Sequence, residues 1–226
     1  MDFQGPEAAD LANVHSLNQA YLDELRRHDA NASGTVSGIF NVAAELGSLN
    51  RAKAALLAQC PFLVFALPEA ADSRWTRLFS DDEQADLFGG HARPPESGAR
   101  LVAATLGFLW ELTRRNPYAA RLVSGASLDW CERLADSSPV RVFRFAGGEP
   151  NLLAPRLALR TEFWTKLLGA GISEDREIRR AAQLCALQTV LTRQPAVHYH
   201  RLPAAACLMP APAMRVADRS KGRADD

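Results

Sequence analysis

Residues 99–115 place Leu101, Val102, Thr105, Leu106, Leu109 and Leu112 at the three- and four-residue steps of one helix face. That spacing gives a helix with a wide apolar stripe, which has to be covered by other elements. Arg114 and Arg115 close the segment, where two cations suit the negative end of the helix dipole. The same periodicity recurs over 10–30, in Leu11, Val14, Leu17, Tyr21, Leu22 and Leu25. The expectation is therefore a mainly α fold, a helical domain with two short strands.

Local signals set the remaining elements. The polar, small stretch from Asp29 to Gly38 breaks the first helix. A short helix over 36–46 is expected to end at Gly47 as a left-handed cap. Ser48 then caps a helix over 49–59, which Pro61 stops. The run Phe62 to Leu67 reads as a strand closed by Pro68. A short helix near 72–79 carries Trp75, Leu78 and Phe79. Asn116-Pro117 is an N-cap with proline at the first helical position, and that helix ends near Gly125. Ser127 caps a helix over 128–136. Pro139 precedes Val140-Arg141-Val142-Phe143-Arg144-Phe145, whose alternation reads as the second strand, with Gly147-Gly148 as its turn. A helix over 158–168 buries Phe163, Trp164, Leu167 and Leu168. Ser173 opens a last helix to about 192, with Glu174, Asp175 and Glu177 in its first turn.

Two helical units are expected, 1–88 and 99–193, joined by a linker at 89–98 (Gly-Gly-His-Ala-Arg-Pro-Pro-Glu-Ser-Gly). Residues 194–226 form a Pro/Ala-rich tail, read as disordered over 204–226. The two units share an order: a capped helix ending Leu-Ala, a proline, then a strand. Pro61 and Pro139 are 78 residues apart, as are Phe65 and Phe143, and Ser48 and Ser127 are 79 apart. A tandem duplication of a helix-helix-strand unit gives this pattern, and so does a coincidence of common signals. In a duplication the two strands are free to pair antiparallel.

Charge is unevenly spread although the net is zero. Residues 1–98 hold 7 basic and 14 acidic side chains, and residues 99–193 hold 14 and 9. The basic half is too weakly charged to indicate nucleic-acid binding on that ground alone. Cys60, Cys131, Cys185 and Cys207 are far apart, so neither a zinc site nor a disulfide framework is indicated. They read as small core residues in a reducing compartment. No apolar run is long enough to span a membrane, and the acidic start at Asp2, Glu7 and Asp10 is unlike a secretory leader. A cytoplasmic protein is the expectation.

Few segments invite chemistry. Gly169-Ala170-Gly171 before a helix lacks the third glycine and preceding strand of a dinucleotide loop, so it reads as a helix break. His198 and His200 flank Tyr199 on one side of an extended segment, without a third metal ligand. Asp81, Asp82, Glu83 and Asp86 lack the pattern of a calcium loop and read as helix capping after Ser80. No catalytic, cofactor or metal residue is assigned. The stretch Val42 to Arg51 carries the Ala43 and Gly47 spacing of a helix-turn-helix, offering Asn50, Arg51 and Lys53 to a major groove. However, Lys53 stands where that unit needs an apolar residue, and Arg121 fills the small position of the matching stretch before Gly125. Trp75, Trp110, Trp130 and Trp164 all fall on expected helices, as core or dimer-interface residues.

Two stretches resemble the flagellar transcriptional activator family FlhD. One is Leu17-Asn18-x-x-Tyr21-Leu22, followed by Ser48-Leu49, Leu57-Ala58 and the strand. The other is Ser127-Leu128, Leu134-Ala135 and Val140 to Phe145. Together they cover about a third of the chain. The family is about half this length and has one such unit. Here the Asn-x-x-Tyr-Leu segment occurs only in the first half and the Phe-Arg-Phe ending only in the second. The resemblance implies a helical dimer that acts with a zinc-binding partner at DNA. The partner's clustered cysteines are absent from this sequence. The functional expectation is a non-enzymatic regulator or adaptor working through a protein partner or homodimer, with nucleic acid engaged indirectly. Leu106, Leu109 and Trp110 are the interface candidates. The alternatives are an enzyme or ligand-binding protein with a pocket between the halves, and direct DNA binding by residues 42–53.

Overall fold

The computed structural model describes residues 5–31, 41–67, 73–79 and 97–192. The acidic cluster at 81–86, residues 89–96 of the expected linker, the His198–His200 segment, Cys207 and the 204–226 tail lie outside the described residues. Ser97 and Gly98, counted with the linker from sequence, open a helix.

The described residues hold ten α-helices and one small sheet, so the fold is mainly α. The first helix, α1 (Ala8–Asn31), starts where the Asp10 carboxylate accepts the Glu7 backbone N–H at 2.9 Å. It buries Val14, Leu17, Asn18, Tyr21 and Leu22 against its neighbours. Helices α2 (Val42–Ser48) and α3 (Arg51–Ala58) pack on it. Helix α4 (Ser73–Phe79) follows, and then α5 (Ser97–Arg115), the long striped helix. The α5 stripe is buried as its period requires: Val102, Thr105, Leu106, Leu109 and Leu112 have no exposed surface. It is covered by α1, α6 (Pro117–Ser124), α7 (Leu128–Asp136) and α8 (Pro139–Gly148). The last described elements are α9 (Thr161–Gly169), a 3-10 turn at Ala170–Ile172 and α10 (Arg176–Thr192).

The caps explain several boundaries. Asn116 accepts from Ala119 N ahead of Pro117, and Gly125 ends α6 at φ 66°, the left-handed cap expected there. Ser127 accepts from Trp130 N and starts α7 as expected.

Three local expectations are corrected. Gly47 is not a left-handed cap: it is buried inside α2, which runs on to Ser48. The cap of α3 is Asn50, whose side chain accepts from Lys53 N at 2.8 Å. The larger correction is 140–145, which is helix rather than strand. Ser138 accepts from Arg141 N, Pro139 takes the first position, and Val142 and Ala146, four apart, are buried. Burial on one side of α5 outweighs the strand preference of Val and Phe. The helices carrying Leu57-Ala58 and Leu134-Ala135 both form, but Ser48, the match of Ser127, is not a cap, and the order of the two halves fails after Pro139.

The expected strand at 62–67 shrinks to β1 (Phe65–Ala66). It pairs antiparallel with β2 (Ala154–Pro155), with Phe65 opposite Pro155. Two buried polar side chains fix this region. Asn18 donates to the carbonyls of Phe62 and Ala58 and accepts from Val64 N. Arg156 donates to the carbonyls of Leu63, Phe65 and Ser124. The segment before β1 forms few regular ladders, so these side chains satisfy backbone groups that burial would otherwise strand.

Candidate functional site

Helix α8 has two faces. Val142 and Ala146 point into the core, whereas Val140 is 41% and Phe143 53% exposed, three residues apart on the outer side. The Phe143 ring lies over Gly107 of α5, where a Cβ would stand 3.2 Å from its Cζ. A side chain at 107 would crowd the ring, so the glycine lets the aromatic lie close along the helix. One turn on, Trp110 donates through Nε1 to the Ser137 carbonyl at 2.8 Å, just before α8 begins. That bond fixes the half-buried indole. The Arg114 guanidinium sits 4.9 Å from the indole centroid, within cation–π range. The half-buried Arg141 and Arg144 lie on either side of Phe143 in sequence. One edge of the α5–α8 pair thus presents aromatic surface on a rigid backbone, together with guanidinium groups. Aromatic residues and arginine are the residue types enriched at protein interfaces.

Of the three interface candidates from sequence, this edge holds one. Trp110 lies on it, while Leu106 and Leu109 are enclosed in the chain's own core. A partner can reach those two leucines only if the core opens. Phe143 and Val140 were hidden from sequence reading by the strand assignment. The signal that reveals them is Ser138-Pro139, an N-cap and first-position proline of the same kind as Asn116-Pro117.

The DNA-contact candidates sit at the start of α3. Asn50 has its side-chain oxygen engaged as the helix cap, and Arg51 and Lys53 are exposed. The residue that packs inward is Ala54 rather than Lys53. The structure brings none of these three to the α5–α8 edge.

The remaining reactive groups are mostly withdrawn. Cys60 and Cys131 are buried, and burial pushes the Cys60 thiol well above its ordinary range. Cys185 is exposed on α10. Burial likewise pushes the Tyr21 hydroxyl up. Gly171 is buried in the 3-10 turn against Leu167, consistent with a helix break between α9 and α10. Among the described residues, no three His, Cys, Asp or Glu side chains converge as a metal site, and no helix is long and apolar enough to cross a membrane. No family model, curated protein or solved structure matches this chain.

Proposed function

We propose that the protein is a non-enzymatic regulator or adaptor that works by seating a partner protein on the α5–α8 edge. The observation that carries this reading is Phe143, half exposed over Gly107, which lies one turn before the pinned Trp110 on α5. An aromatic side chain held this way loses little conformational freedom on binding and so serves well as an anchor. The nearby Arg114, Arg141 and Arg144 favour a partner surface with an apolar pocket and acidic rim. The resemblance to the FlhD family supports a setting in transcriptional, motility-type regulation, with DNA reached through the partner.

The test is a nuclease-treated pull-down from the native host with wild type and Phe143→Asp. The expected result is stoichiometric recovery of a transcription factor or RNA polymerase by wild type. The variant, folded to the same thermal midpoint, should lose it. Equal recovery by both proteins, or recovery of metabolic enzymes alone, contradicts the reading.

A further inference from the structure

A recess of about 680 Å³ lies between α1 and α10, away from the α5–α8 edge. Arg176, Arg179 and Arg180 line it from α10, and His15 and Gln59 line it from the facing side. Its size falls in the range of small-molecule sites. The backbone beneath it is fixed. Gln183, buried on the same helix, donates to the Gly171 carbonyl at 3.1 Å and the Leu56 carbonyl at 3.4 Å. These bonds tie α10 to the 3-10 turn and to α3.

The charges in this recess are unbalanced. Arg179 is held by the carbonyls of Ser173 and Glu174. The side chains of Arg176 and Arg180, one turn apart on α10, make no hydrogen bond or ion pair among the described residues. Like charges at this spacing repel, and cations near a helix N-terminus oppose its dipole. Among the described residues, no carboxylate lines the recess. Asp175 caps the helix by accepting from Glu177 N and Ile178 N, and Glu177, three residues before Arg180 on α10, makes no ion pair with it among the described residues. Burial lowers the pKa of His15. Leu11, Pro61 and Leu184 give the same recess an apolar side.

We propose that this recess binds a small molecule carrying a multiply charged phosphoryl group, with Arg176 and Arg180 holding the oxyanion and Leu11 and Leu184 meeting the apolar body. Guanidinium forks match phosphoryl oxygens in pairs, which is why two unpaired arginines one turn apart suit this group. The proposal is independent of the partner edge, so Phe143→Asp should leave it unaffected.

Inorganic pyrophosphate is the probe, titrated calorimetrically into the full chain at fixed ionic strength. The expected result is saturable one-to-one binding that the double variant Arg176→Gln/Arg180→Gln weakens by about 100-fold. A charge-matched control, Arg51→Gln/Arg160→Gln, should change it less than about threefold. The His15 ring resonances should move on adding pyrophosphate to wild type and stay in place in the double variant. Absence of saturable binding to wild type overturns the proposal. So does an equal loss in the control pair, or an unmoved His15 signal.

Discussion

The Arg156 guanidinium donates through Nε to the Leu63 carbonyl at 2.6 Å, joining residues 93 apart in the chain. The same group reaches the carbonyls of Phe65 and Ser124, so one side chain gathers β1, β2 and the end of α6. Arg156→Met should leave these buried acceptors without that donor and cost about 3 kcal/mol or more. Gly125→Ala should also destabilise, by about 1–3 kcal/mol. It puts a Cβ at φ 66°, against both the guanidinium and Val190. Urea unfolding of both variants checks this, and midpoints equal to wild type would contradict the role of Arg156.

Asn18 and Tyr21 lie one turn apart in α1 and make opposite predictions. Asn18 makes three hydrogen bonds to backbone groups. Asn18→Ala should cost about 2–3 kcal/mol. The buried Tyr21 hydroxyl has no hydrogen-bond partner among the described residues. Tyr21→Phe should therefore leave stability unchanged or raise it by about 1 kcal/mol. A Tyr21→Phe protein as damaged as Asn18→Ala would show that the hydroxyl is bonded.

Burial lowers the His15 pKa from 6.5, so the folded state favours the neutral ring. As pH falls through the unfolded value, the unfolded chain takes up the proton first. The stability contributed by neutral His15 is thus present above that value and lost below it, levelling off beneath the folded pKa. Thermal midpoints between about pH 7.5 and pH 5.5 should fall more steeply for wild type than for His15→Gln. Parallel slopes would remove His15 from the account.

Thiol accessibility separates the cysteines. In a Cys207→Ser background, Cys185 should react quickly with an aromatic disulfide reagent. Cys60 and Cys131 should react only as the protein unfolds, being buried, with the Cys60 thiolate disfavoured as well. Three equivalents of fast reaction would contradict the burial of Cys60, just after α3, and of Cys131 on α7.

What the sequence made legible were the elements with strong local signals. The α5 stripe, the Asn116-Pro117 start, the Gly125 cap and the Ser127 cap are all where the residues place them, because each rests on a short-range physical requirement. The α8 segment was misread because alternating Val, Arg and Phe satisfies a strand template while Val142 and Ala146 also satisfy a helix. Only the packing against α5 decides between them. Gly47 failed for a similar reason, since a glycine after a helical stretch can be buried inside the helix as readily as it can cap it. The bonds from Asn18 and Arg156 join distant segments, and no local pattern announces them. A pocket between the halves was one of the alternatives, but the residues lining the recess were not legible, because only the fold brings those of α1 and α10 to one place.

The direct test of the partner edge is site-specific photo-crosslinking in the native host, with a photoactivatable phenylalanine analogue at position 143 and, as control, at the exposed Lys166 on α9. The account predicts a discrete crosslinked protein from position 143 that is missing from 166. No adduct at 143, or the same adduct from both positions, would contradict it.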